Sequence, residues 1–86
     1  MDYQAIIHAL VDSIVEHPES VLIRELPGDS EKDITLLIVT EKEDTARLIG
    51  RKGIIANALR EMMSIAGKTD KKRIHLKFES FDSEED

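Results

Sequence analysis

Gly50-Arg51-Lys52-Gly53 is the stretch of this 86-residue chain whose residue types could act together chemically. Two glycines flank two cations, so the backbone can approach a ligand where any Cβ would collide. A helical pattern begins directly after, at Ile54. Its free N–H groups and the positive end of its dipole would point into the same space. Arg51 and Lys52 add mobile cations at the rim, and the assembly suits a phosphodiester backbone. No catalytic constellation accompanies it. Ser13, Ser64 and Thr69 lack a His/Asp companion, and His8, His17 and His75 fall in three different segments without ligand spacing. The chain has no cysteine, which removes thiol nucleophiles, disulfides and Cys-ligated metal sites. Gly67-Lys68-Thr69 mimics the end of a nucleotide-binding loop, but it closes a helical run and Met62 stands where the earlier glycine is required. No enzyme activity, metal or cofactor is expected.

The charge distribution singles out the same region. Residues 1–44 carry eleven acidic and three basic side chains, residues 45–78 nine basic and two acidic, and residues 79–86 five acidic ones. The overall charge of −6 therefore averages two acidic flanks and one basic stretch. Polyanions respond to the local field, so one surface can meet phosphate while the remainder repels it. A hydrophobic share of 41% supports a packed core, and the length suffices for one domain. No apolar run approaches the roughly 20 residues of a membrane helix, and the acidic start lacks a signal-peptide pattern. A cytoplasmic location without membrane insertion is expected.

The elements that must position the glycine-flanked cations follow from periodicity. Residues 2–16 read as an amphipathic helix capped by Asp2, with Tyr3, Ile6, Ile7, Leu10, Val11, Ile14 and Val15 as a wide apolar stripe and Pro18 as its stop. Val21 to Leu26 makes a short strand interrupted by Arg24 and Glu25, and Pro27-Gly28-Asp29-Ser30 a turn. Ile34 to Thr40, apolar on both faces, is a central strand pairing antiparallel with the first. Asp44 is expected to cap a short helix through Leu48. The next helix, 54–66, places Ile55, Ala58, Leu59, Met62 and Ala66 on one side and ends at Gly67 as its cap. Residues 71–79 alternate, with Ile74, Leu76 and Phe78 inward and Arg73, His75 and Lys77 outward. The crossover should be right-handed and leave the second and third strands parallel. The expected fold class is α+β, in the order α-β-β-α-α-β, with a three-stranded mixed sheet and helices on one face. Residues 1–80 form the single domain and 81–86 an acidic tail.

Leu48-Ile49-Gly50-Arg51-Lys52-Gly53 between two helices, followed by Ile55-Ala56-Asn57-Ala58-Leu59-Arg60, resembles the signature of a K-homology (KH) domain. The element order is similar to the type II arrangement. Length, leading helix and the Ile55–Arg60 stretch resemble the small bacterial single-KH RNA-binding proteins of the KhpA type, over roughly residues 3–79. The resemblance implies binding of short single-stranded RNA in a groove between the helix from Ile54 and the last strand. It also implies an RNA-chaperone role, a larger multidomain KH partner of the Jag (KhpB) type and a link to cell-envelope growth. On this reading the RNA-binding residues are Gly50, Arg51, Lys52, Gly53, Ile49, Ile54, Ile55, Asn57, Ala58, Arg60, Arg73 and His75, with Leu48 and Leu59 further candidates for the aliphatic floor. An aromatic content of 3% argues against a stacking platform and not against KH, whose groove is aliphatic. Two features depart from the pattern. Ile54 stands where relatives often carry Lys or Arg, and the turn with Asp29, Glu31 and Asp33 is acidic.

A second reading is a protein-interaction subunit that recruits a partner and has little RNA affinity of its own. The acidic half and the wide stripe on the first helix motivate it, as do Met62, Met63 and Ile65. Either reading includes a dimer, as a homodimer or with the larger partner. Lys71-Lys72-Arg73 is either a solvated strand start or an extension of the RNA-binding field.

Overall fold

A computed structural model describes residues 1–81; of the expected acidic tail, 81–86, all but Phe81 lies outside the described residues. The order is α1 (Tyr3–Asp12), β1 (Leu22–Pro27), β2 (Asp33–Thr40), α2 (Lys42–Ile49), α3 (Ile54–Thr69) and β3 (Arg73–Ser80). The sheet runs β1-β2-β3. β2 is the central strand, antiparallel to β1 from Leu22↔Val39 to Pro27↔Ile34 and parallel to β3 from Asp33↔Arg73 to Thr40↔Ser80. This is the expected α+β architecture with its mixed sheet.

The core lies between one face of the sheet and the helices. Ile23, Leu36, Ile38, Ile74 and Leu76 share that face by strand alternation and are buried against Tyr3, Ile7 and Val11 of α1, Leu48 of α2, and Leu59 and Met63 of α3. Burying an aliphatic side chain of this size stabilises by about 1.5–3 kcal/mol, which the interior of a small sheet needs from nearly every position.

Several local expectations are corrected. The first helix ends at Asp12 and not at 16, although Asp2 caps its start by accepting from the Ala5 amide at 3.0 Å. Ser13 Oγ donates to the Leu10 carbonyl at 2.8 Å and closes the last turn. The chain is then drawn aside by Asp44, whose carboxylate accepts from the amides of Glu16 at 2.9 Å and His17 at 3.0 Å. Pro18 opens a single 3₁₀ turn, 18–20, instead of stopping the helix.

Asp44 is consequently not the cap of α2, a role taken by Glu41. It is fully buried, and Arg47 Nη1 also donates to it, at 2.6 Å. Burial pushes its carboxyl up, but the two amides and the guanidinium outweigh that and hold it below its ordinary value.

β1 runs unbroken through Arg24 and Glu25 and takes in Pro27, which an edge strand tolerates because one side of its backbone needs no partner. Gly67 does not end α3, which continues to Thr69, with Asp70 as cap and Lys71 left-handed at φ 58°. Its role is steric. A Cβ at Gly67 would stand 2.6 Å from the Lys72 carbonyl oxygen and 2.8 Å from Ile74 Cγ1, so only glycine lets the helix lie this close to the start of β3.

The buried stripe of α3 is Ala56, Leu59, Met63 and Gly67. Ala58, expected on the same side as Leu59, is exposed; of Met62 and Met63, both expected as spare surface, Met62 is exposed and Met63 wholly buried. On α1, Tyr3, Ile7 and Val11 are buried and Ile6, Leu10 and Ile14 pack beside them, so the core absorbs most of the wide stripe.

Candidate nucleic-acid interface

α2 stops at Gly50, whose φ of 75° no helix can continue and whose amide donates to the Ala46 carbonyl at 2.9 Å. A Cβ there would meet Ile55 Cγ1 at 2.5 Å and Ile55 N at 3.0 Å, so the position demands glycine for space as well as for φ. Arg51–Gly53 forms one 3₁₀ turn, closed by the Gly53 amide on the Gly50 carbonyl at 3.0 Å. Lys52 is left-handed at φ 57° and Gly53 at φ 79°. A Cβ at Gly53 would touch only Asn57 Nδ2 at 3.9 Å, so glycine serves conformation there and not clearance.

Gly53 is also the N-cap of α3, and no side chain caps that end. The first turn of a sixteen-residue helix therefore opens beside Arg51 and Lys52, both exposed. Among the described residues neither cation makes an ion pair. Unpaired cations, glycine backbone and uncapped amides converge on one small volume, which is the chemistry a phosphate group needs.

α3 packs against β3, and the seam between them carries further polar groups. β3 is an edge strand, and the Arg73 amide donates to Lys32 O on the β2 side. In a parallel pair alternate residues face the neighbour, so Leu76 and Phe78 turn their peptide groups to the free edge. Arg60 reaches that edge: Nη2 donates to Leu76 O at 3.3 Å, Nη1 to Asn57 Oδ1 at 3.4 Å, and the guanidinium lies 5.4 Å from the Phe78 ring centroid. Asn57 and Arg60 thus line the seam with hydrogen-bonding groups. Ile49, 39% exposed, and Ile54, 64% exposed, form an apolar rim at the turn.

The remaining expected residues are placed elsewhere. Leu48 and Leu59 are core residues, and Ile55 is half-buried against Gly50. Ala58 lies about 200° around α3 from Arg60 and joins Ile54, Met62 and Ile65 in a stripe away from the sheet. Arg73 and His75 are on the sheet face opposite the helices. Both are engaged by Asp33: Arg73 Nε and Nη2 donate to its two oxygens at 2.9 and 3.0 Å, and His75 Nε2 is 2.9 Å from Oδ1. Hydrogen bonds from Arg73, His75 and Ser30 hold the Asp33 carboxyl well below its ordinary range, and Asp33 in turn raises Arg73. Lys72 likewise spends its ammonium on the Glu31 carbonyl at 3.0 Å. A hollow of about 340 Å³ lined by Pro27, Gly28, Asp29, Thr35, His75 and Lys77 belongs to this opposite face and not to the glycine turn.

Reasoning from sequence missed the neutralising role of Asp33 and the anchoring role of Asp44. The signal for the first was the placement of Asp33 and Arg73 at the heads of two strands expected to run parallel. For Asp44 no local signal existed, because its amide partners lie 27 and 28 residues away.

A family model described as KhpA/KhpB, KH domain, matches residues 4–78. A relative from Listeria monocytogenes is 34% identical over 73 residues, covering 85% of this chain and 93% of its own length. One from Bacillus subtilis is 35% identical over 77 residues, covering 90% and 89%. One from Oceanobacillus iheyensis is 34% identical over 74 residues, covering 85% and 95%. All three are named RNA-binding protein KhpA. No solved structure matches the chain significantly.

Proposed function

The chain belongs to the KhpA/KhpB KH-domain family, and on that premise we propose that it is a non-catalytic RNA-binding protein that clamps short single-stranded RNA at Gly50–Gly53. The observation that carries this is the left-handed glycine turn at the uncapped start of α3, bearing two cations that make no ion pair among the described residues. Phosphates pass along the turn, where Arg51 and Lys52 neutralise them and the first amides of α3 donate to their oxygens. Bases of the roughly four nucleotides a KH groove holds turn toward the seam. There Asn57, Arg60 and the free edge at Leu76 and Phe78 can read them, with Ile49 and Ile54 packing at the entrance. Arg73 and His75, both held by Asp33 on the opposite sheet face, stand outside the clamp in this reading.

The same reading extends to an RNA-chaperone role in the cytoplasm, tied to cell-envelope growth and to a larger Jag (KhpB)-type partner. Family membership is its support.

One observation favours a protein-interaction role alongside it. Ile54, Ala58, Met62 and Ile65 recur at helical spacing on the outer side of α3, with Ile54, Met62 and Ile65 64%, 47% and 67% exposed. A two-fold dimer through this stripe, or a heterodimer with the larger partner, would cover it.

The test is binding of a fluorescently labelled, mixed-sequence single-stranded RNA by anisotropy across a salt series. Affinity should fall steeply with salt as counterions are released. The double variant Arg51→Asp/Lys52→Asp should keep its fold by circular dichroism, since both side chains are exposed, and lose binding. Undiminished affinity in the folded double variant would overturn the clamp. Absence of binding even at low salt would leave the interaction role alone.

A further inference from the structure

We infer that the seam between α3 and β3 selects bases by their acceptors, favouring guanine and cytosine over adenine and uracil. The inference rests on the clamp proposed above and names the class of base that its seam takes.

The hydrogen-bonding pattern of the seam is the support. Asn57 and Arg60 stand one turn apart on the same face of α3, and both are exposed. Arg60 Nη1 donates to Asn57 Oδ1 at 3.4 Å, which engages the acceptor end of that side chain and leaves Nδ2 for a ligand. The reverse orientation of the Asn57 amide would set N–H against N–H. Arg60 Nη2 donates to the Leu76 carbonyl at 3.3 Å, so an acceptor of the strand edge is engaged as well. The guanidinium also lies 5.4 Å from the Phe78 ring centroid, within cation–π range, and is held over the edge. A guanidinium carries five N–H groups and no acceptor, and these contacts leave several of the five free. Among the described residues no carboxylate pairs with Arg60. The two side chains therefore present N–H groups to a base and no free acceptor.

Such a surface is satisfied by a base with two neighbouring acceptors on one edge. Guanine has them in O6 and N7, and cytosine in N3 and O2. Adenine sets its N6 amino group beside N1 and N7, and uracil sets N3–H between O4 and O2, so each brings a donor against a donor. The peptide edge at Phe78 has the opposite preference, because one N–H beside one C=O matches adenine or uracil. Magnitude decides between the two. A hydrogen bond from a charged donor is about twice as strong as a neutral one, so the guanidinium prevails over the peptide pair. Phosphate contacts at Arg51 and Lys52 carry no base preference, which makes affinity and selection separable.

The test measures the anisotropy of labelled oligouridine of about eight nucleotides, alone or with its central pair replaced by guanosine, cytidine or adenosine. The guanosine and cytidine forms should bind about five- to tenfold more tightly than the others. Replacing guanine by 7-deazaguanine, which lacks the N7 acceptor, should remove most of that gain. Arg60→Lys keeps the charge and loses the planar fork, so it should retain affinity for plain oligouridine and lose the preference. Circular dichroism checks the fold of this variant; should it not fold, the 7-deaza comparison on the native chain decides alone. Equal affinities for all forms, tighter binding of the adenosine form, or a guanosine gain that 7-deazaguanine leaves intact would overturn the selection and leave the clamp standing. If no form binds even at low salt, the clamp itself has failed and the selection falls with it.

Discussion

Gly50 and Gly53 share positive φ values and differ in what surrounds them. Alanine at Gly53 pays only for the left-handed backbone, about 1 kcal/mol, because its Cβ would make only an ordinary contact with Asn57 Nδ2 at 3.9 Å. Alanine at Gly50 pays that and also drives Cβ to 2.5 Å from Ile55 Cγ1 and 3.0 Å from a backbone nitrogen. Gly50→Ala should therefore cost about 2–4 kcal/mol and displace the turn, while Gly53→Ala stays folded and keeps most RNA affinity. Denaturant melts of the two variants, paired with anisotropy, check the contrast. Asp33 provides a second test at this scale. Its folded pKa is depressed, so the grip on Arg73 and His75 is fully present above the ordinary carboxylate range near about 4 and fades as pH falls below it. Asp33→Asn should lower thermal stability near neutral pH, and the gap to the wild type should narrow at about pH 2.5.

Helices and strands in so small a domain are trimmed by their neighbours. α1 loses its expected last turn because Asp44, on another element, binds the Glu16 and His17 amides. α3 gains a turn because Gly67 meets β3 instead of terminating the helix. The opposing terms at Gly67 can be compared. Alanine would gain about 1 kcal/mol in helix propensity, yet its Cβ would stand 2.6 Å from the Lys72 carbonyl, where overpacking costs about 1–3 kcal/mol and the obstacle is backbone. Gly67→Ala should be net destabilising, with a lower denaturation midpoint despite the better helix former. An unchanged or higher midpoint would show that α3 and β3 are free to separate.

At the scale of the whole molecule, three surfaces divide the labour. The glycine turn and the α3–β3 seam face RNA in the proposed function. In the same proposal the outer stripe of α3 faces a partner, and the sheet face opposite the helices carries the Asp33 cluster. Because Met62 and Ile65 are exposed, Met62→Lys/Ile65→Lys should leave circular dichroism unchanged and convert a dimer to a monomer in sedimentation at micromolar protein. A wild-type chain that sediments as a monomer would refute the assembly. In the dimer the second clamp raises the effective concentration for a longer strand, so RNA spanning both grooves should lose much more affinity on this substitution than RNA filling one.

Element order, the antiparallel hairpin, the parallel crossover and the glycine-flanked cations were legible in the residues themselves. They depend on period, turn chemistry and the flanking of charge by glycine, all written within a few positions. The resemblance to KH domains needed only the contiguous run from Leu48 to Arg60. What the tertiary structure alone decided involves residues distant in sequence. Strand register brings Arg73 and His75 to Asp33, some 40 positions away, on the sheet face opposite the helices and apart from the glycine turn. Ala58 and Met62 exchanged places with Ala56 and Met63 because a helix apolar on two sides has no local preference for which side is buried. The sheet makes that choice, through the area each side can cover and the close approach that Gly67 allows.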